Sequence, residues 1–491
     1  MHMNESRRLI LKAFATSGLI STGVFSCALL PSSISADNST SNRYQGDWAE
    51  AKKIRDAIIR PIFASNTFNI LDFGAKGDNK TDCTQAFAKA IQACNQQGGG
   101  KVIVPAGSYL TGPIHLLSNV NLHIEEHAII RFIPEPKRYL PLVKTRWEGL
   151  ELMGYSPLIY AYKQKNIAVT GKGTLDGGAT DQIWWPWKGP HKEKHWDLIP
   201  GEDQKPARMQ LMADAENHVP VEERIYGEGA YLRPPFVQPY ECENVLLEDF
   251  TIKNSPFWLL NPVLCQHVTV KGVTLDSHGP NNDGCDPESC DHVLIEDCTF
   301  NTGDDCIAIK SGRNADGRRI NVPTQNVVIA NCNMIAGHGG VVIGSEISGG
   351  VNHVFVENCQ MSSPELERAI RIKTNSVRGG LIEHLRYRDI NVGVVQNAIV
   401  INYFYEEGDA GNFDPIVRNI KIENLVCQKV LKKPMNIQGF SRDPIYDVHL
   451  TNCHFNQAKE KSIVRDINNL TFTNVSINGK AASVDDVVST N

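Results

Sequence analysis

"HVTVKGVTL" (residues 267–275) and "HVLIEDCTF" (292–300) are two copies of one short pattern. A His or Asn comes first, then an aliphatic residue, then apolar residues at alternate positions. Alternation of period two between Asn, Asp, Gly or Ser reads as a β-strand bounded by turns. Further copies make the pattern start at residues 244, 267, 292, 326, 353, 384, 419, 447 and 469, with spacings of 23, 25, 34, 27, 31, 35, 28 and 22. Weaker copies stand at 119–129 ("NVNLHIEEHAI") and 166–175 ("NIAVTGKGTL"). Most copies have no helix-length amphipathic stretch between them, which argues against βαβ units. One recurring strand with a remainder of variable length is the mark of a solenoid, whose stacked strands bury one alternate set of side chains in a continuous core. A propeller blade needs about 40 residues and several strands, more than the shortest repeats provide. The expected fold is therefore all-β: a single-stranded, right-handed parallel β-helix.

A solenoid end must be covered. "TDCTQAFAKAIQACNQQGGG" (81–100) supplies an N-terminal capping helix, opened by Thr81 or Asp82, with Phe87, Ala90, Ile91 and Cys94 on one face and Gly98–Gly100 ending it. The stretch from about 176 to 231 interrupts the repeat with "WWPW" (184–187) and a helix-like "PARMQLMADAENHV", so it reads as a large insertion. The aromatic run suits sugar stacking and packing of the insertion equally.

Ahead of the repeats, "SRRLILK" (6–12) precedes an uncharged apolar stretch, Ala13–Leu30, and then small residues. This is the pattern of an export signal, and Arg7–Arg8 give it a twin-arginine character. The expected organisation is a signal over 1–36 cleaved after Ala36, a lead-in over 37–67 and the β-helix over 68–491. The mature chain would then be periplasmic or secreted. An uncleaved anchor is the alternative, and Cys27 faintly resembles a lipoprotein processing site. No later segment is apolar enough to span a bilayer.

Apolar residues make up 41% of the chain and aromatics 8%, which suits a large core and not a disordered chain. The net charge of -6 is spread without a basic stripe, so no nucleic acid partner is expected. Of 13 cysteines, 12 lie beyond Cys27. They lack the paired spacing with histidines that zinc needs, and several recur at like places in the repeat, as stacked core residues would. Disulfides stay open for an exported chain. A monomer without metal or cofactor is expected.

Three carboxylates stand out in "NNDGCDPES" (281–289) and "TGDDCIAIKSG" (302–312). From Asp283 to Asp304 is 21 residues and to Asp305 is 22, about one short coil, and residues one coil apart stack at about 4.8 Å. The three would cluster, and crowding raises the proton affinity of at least one. An acid beside an ionised base is what glycosidic hydrolysis requires. A calcium site is the main competitor, because hard cations also take clustered carboxylates. Turn capping is the bland reading, and it suits "IED" (295–297). One coil on, "GHGG" (337–340) sets His338 between glycines. In "RIKT" (371–374), Arg371 and Lys373 share a strand face and suit an anionic ligand, or else neutralise the aspartates.

In this order, "NND", "TGDDCIAIKSG", "GHGG" and "RIKT" resemble the signatures of glycoside hydrolase family 28, the polygalacturonase family. "FGAKGDNKTDCTQAFAKAIQAC" and "GGGKVIVPAGSYLTGPI" resemble its start, so the likeness runs from about Phe68 through most of the chain. It implies inverting hydrolysis of α-1,4-galacturonosidic bonds in de-esterified pectin or its oligogalacturonides. Carried over, Asp304 would be the general acid, and Asp283 and Asp305 would activate water. His338 would support the acid, and Arg371 and Lys373 would hold a uronate carboxylate. Asn281 matches the Asn of the first motif, while Asn282 replaces the usual Thr. "GRNADGRRINVPT" (312–324) resembles the bacterial exo-acting branch. The rivals are a hydrolase of rhamnogalacturonan or another uronate glycan, a calcium-dependent pectate lyase and a non-catalytic polysaccharide-binding β-helix.

Overall fold

Val245, Val268, Val293, Val327, Val354, Leu385, Ile420, Val448 and Leu470 each occupy the same place in successive copies of the pattern. They form one parallel ladder along the molecule. All are buried, so each added coil extends the same apolar column. This is the expected right-handed parallel β-helix, seen in a computed structural model that describes residues 45–191 and 196–488. The expected export signal, its cleavage point after Ala36 and Cys27 lie outside the described residues.

Each coil adds strands to three faces. The long strand of the pattern (Gln266–Lys271, for example) and the short one after it (Thr274–Ser277) belong to one 25-stranded sheet. The third face starts with Ile114–His115, Ile159–Tyr162 and Val237–Tyr240. It continues through single bridges at Leu260, Cys285 and Ile307, then through Val341–Ile343, Arg368–Lys373, Asn397–Asn402, Met435–Gln438 and Ile463–Arg465. It carries the sequence signatures.

The turns follow from Asn and Asp, which tolerate left-handed backbone. Asp297, Asn331 and Asn358 have φ of 58°, 57° and 52° in successive coils. Asn358 donates to Asn331 at 2.7 Å and Asn331 to Asp297 at 3.1 Å, so the "IED" aspartate is a turn residue. The twelve described cysteines are free and buried, as core filler.

The capping helix runs over Thr84–Gln96, starting later than Thr81 or Asp82. Asp82 stays outside and accepts from the Thr84 N–H and hydroxyl at 2.9 and 2.6 Å, which stops the helix extending backwards. Phe87, Ala90, Ile91 and Cys94 are buried on the expected face. The described part of the lead-in forms a helix, Trp48–Ala57. Its Trp48, Ala51 and Ile54 pack on Leu294, Val328 and Phe355 of the outer sheet face.

The interruption holds the helix Lys205–Glu216. An antiparallel hairpin, Val143–Trp147 with Leu150–Gly154, lies outside the expected 176–231 range, and Ile225–Tyr226 pairs with it. Trp184 and Trp187 are buried in the core, and Trp185 donates to the Ser255 carbonyl at 2.9 Å. The aromatic run therefore packs the insertion against the helix.

Candidate active site

Gly284 N–H donates to the Asp305 carbonyl at 2.9 Å and Cys285 N–H to the Cys306 carbonyl at 3.0 Å. This register sets Asp283 beside the Asp304–Asp305 pair, and one oxygen from each of the three carboxyls lies within 4.8 Å of the others. A straight strand would send adjacent side chains to opposite faces. The backbone instead bends at Gly303 and Asp304, and both aspartates reach the cluster.

The three environments differ. Asp305 is fully buried and meets Lys373 at 2.6 Å and Arg371 at 3.3 Å. Burial would raise its proton affinity, but the two cations outweigh that and hold it below the usual range. Asp304 is the most open of the three, with 18% of its side chain exposed, and its Oδ1 lies 2.9 Å from His338 Nδ1. Burial opposes ionisation here too, yet His338, Lys373 and Arg371 together draw it well down. Asp283 has one ammonium neighbour, Lys310 at 3.4 Å, and its Oδ1 has no hydrogen-bond partner. Burial and the Asp304 charge push it up to about 8. His338 is raised to about 9, chiefly by Asp304. The cluster thus holds one proton among three carboxyls at neutral pH, and a second proton on His338.

Two glycines make this packing possible. A Cβ on Gly337 would sit 2.5 Å from the Asp304 carbonyl oxygen, and one on Gly339 would sit 2.4 Å from Val342 and 3.2 Å from Asp305 Oδ1. Arg368 donates to the His338 carbonyl at 3.1 Å and fixes the turn.

Asn281 also lies at the rim, but its Oδ1 accepts from Lys188 at 3.0 Å and Arg233 at 2.9 Å. Lys188 belongs to the insertion, so Asn281 ties that segment to the carboxyl cluster. Asn282 is fully buried. Its oxygen accepts from Ser277 and the Gly279 N–H, and its amide donates to the Ser255 and Phe257 carbonyls. It is a structural anchor.

Three further side chains complete the site without having been singled out from the sequence. Lys310 is buried 3.2 Å from Glu346 as well as 3.4 Å from Asp283, with its ammonium 4.5 Å from the Trp258 ring. Alternation in "IAIKSG" does put Lys310 on the outward face with Ala308, so a signal existed. Glu346 and Tyr405 had none. The Tyr405 ring lies under Arg371 and Lys373 at 5.4 and 5.3 Å. The spacing of the three carboxyls would also suit a cation, but Lys310, Arg371 and Lys373 already supply positive charge there.

Residues 227–476 match the family model for glycosyl hydrolases family 28. Residues 67–123 match one described as rhamnogalacturonase A/epimerase, pectate lyase-like. A probable polygalacturonase of Vitis vinifera is 26% identical over 417 residues, covering 81% of this chain and 76% of its own. An exo-poly-alpha-D-galacturonosidase of Dickeya chrysanthemi is 24% identical over 440 residues, covering 83% and 71%. Among solved structures, an exopolygalacturonase from Thermotoga maritima is 43% identical with a TM-score of 0.83, covering 88% of this chain and 96% of that one. With its signatures in order on one face of the solenoid, this chain belongs to glycosyl hydrolase family 28.

Proposed function

We propose that the protein hydrolyses α-1,4-galacturonosidic bonds of de-esterified pectin or its oligogalacturonides, with inversion and from a chain end. The observation that carries this reading is a cluster of three carboxyls with unequal proton affinities beside two cations that share one carboxylate.

Asp304, the most open of the three, faces the leaving oxygen as general acid, and Asp283 and Asp305 activate the attacking water. Without substrate the shared proton rests on Asp283, because Arg371, Lys373 and His338 hold Asp304 down. A uronate carboxylate arriving at Arg371 and Lys373 cancels part of that positive field. Asp304 then gains proton affinity, and the proton passes to it from Asp283 through one bridging water, the carboxyl oxygens lying within 4.8 Å of one another. Only an anionic sugar supplies this change, so charge recognition and acid activation are one event. His338 stabilises Asp304 once its proton has gone to the leaving group.

Chain-end attack is supported by how the insertion is fastened. Lys188 binds Asn281 beside the cluster, Arg208 binds Glu148 of the hairpin at 2.6 Å, and Glu148 meets Arg313 at 3.2 Å. The Lys188–Asn281 contact stands on the side of the preceding coil, where it narrows the room for further sugars, while Glu148–Arg313 ties the hairpin to the cluster's own coil. The 43% identity to an exopolygalacturonase points the same way. Export through a twin-arginine-type signal to the periplasm or beyond, and action as a monomer, belong to the same proposal. Among the described residues no helix is long and apolar enough to cross a membrane.

The test is a digest of de-esterified polygalacturonate, with Asp304→Asn as control. Saturated mono- or digalacturonate as first product, absent with the control, supports the reading. Random mid-chain cuts refute chain-end attack. Unsaturated products refute hydrolysis.

A further inference from the structure

Beyond the catalytic cluster, the third face runs on for three more strands. Inward side chains there, such as Ile399, Ile401, Met435, Ile437 and Val464, are buried. The outward positions form two rows. One passes from Arg371 to Val400, Asn436 and Ile463, and the other from Lys373 to Asn402, Gln438 and Arg465. The second row is polar throughout and ends on a cation.

Arg465 makes no ion pair among the described residues, and its Nε has no hydrogen-bond partner. Its surroundings explain neither fact by a shortage of acids. Arg442 nearby is bound to Asp409 and Asp414, and Asp466, next in sequence, accepts from Ser441 at 2.8 Å. The Arg465 guanidinium instead lies 5.0 Å from the Phe404 ring. That ring is 39% exposed and set edge-on against Phe440 at 5.0 Å, so it is fixed and partly bare. A rigid aromatic beside an arginine without a carboxylate suits a ring that carries its own carboxylate.

We propose that Arg465 and Phe404 form a distal subsite for a uronate of the same polysaccharide chain, on the side of the cluster away from the insertion, with Asn402 and Gln438 as the floor between. This rests on the galacturonan reading above. Parallel strands stand about 4.8 Å apart, so three steps put Arg465 about 14 Å from Lys373. A pyranose ring with its bridging oxygen spans about one such step, so Arg465 meets the third sugar beyond the one at Lys373. Long chains are therefore held at both ends of the row, while short products leave easily.

The experiment compares kcat/KM for di- through hexagalacturonate in the wild type, Arg465→Gln, Arg465→Lys and Phe404→Ala, with products separated by ion-exchange chromatography. The loss in Arg465→Gln should grow with chain length, reaching roughly 3- to 10-fold for penta- and hexagalacturonate and residing mainly in KM. Arg465→Lys should recover part of it, and Phe404→Ala should show the same length dependence. An equal loss at every length, or none at any length, overturns the subsite. A wild type that cleaves no oligogalacturonate overturns the function proposed above, and the subsite with it.

Discussion

Replacing Lys310 by Met removes one ammonium and keeps the stem that packs near Trp258. Lys310 Nζ stands 3.4 Å from Asp283 and 3.2 Å from Glu346, all three side chains buried. Opposite unit charges 3.4 Å apart attract by roughly 5 kcal/mol at an effective dielectric of about 20, equivalent to about 3.5 pKa units. Glu346 competes for the same ammonium, and local relaxation recovers part of the loss, so the expected rise at Asp283 is about 1–3 units. In the wild type the shared proton leaves near pH 8, and activity falls as pH rises through that value because no acid remains. Without Lys310 the proton is held more tightly, so the alkaline limb of kcat/KM moves upward. Glu346→Gln removes one of the carboxylates that compete with Asp283 for Lys310 and should move the limb downward. The assay is initial rate against pH on trigalacturonate, with melting curves to establish folding. A limb that stays put or falls in Lys310→Met would refute the argument and leave Lys310 as packing.

Asp283→Asn should raise the melting temperature, because Asp283, with an ordinary value near 3.8 and a folded one of about 8, binds its proton more tightly when folded. Its burial costs stability increasingly as pH rises from about 4 to 8, so the gain should be absent near pH 3.5 and largest above pH 8. A gain independent of pH would contradict this. Proton NMR of the first product should show the β-anomer before mutarotation. Release of the α-anomer would refute inversion. Gly339→Ala drives a Cβ to 2.4 Å from Val342 beside Asp305, so a loss of about 1–3 kcal/mol in stability is expected from overpacking. Activity should fall with it through the displaced Asp305, and wild-type turnover would show that the loop yields freely.

The solenoid was legible because its signal repeats. A strand with one buried face writes period-two alternation, and stacking writes it again every coil, so Val268, Val293 and Val327 announce their ladder from sequence spacing alone. The same spacing brought Asp283 to Asp304 and Asp305, since a coil of 21 or 22 residues returns the chain to the same place. It also placed Arg371 and Lys373 on one face, and the capping helix to within a few residues. The ordered motifs carried the family.

What only the tertiary structure decided lies between coils. Nothing local in the sequence marks that Glu346 shares Lys310 with Asp283, that Tyr405 underlies the two cations, or that Asn281 is held by Lys188 and Arg233. Nor does it mark that the insertion joins a hairpin at 143–154, or that Trp184 and Trp187 serve packing. Proton ownership within the carboxyl trio was equally hidden. Three aspartates of one chemistry differ because one has two cations, one a histidine and one a single shared lysine. Those differences come from low-dielectric contacts a few ångströms long between residues tens of positions apart, which periodicity does not encode.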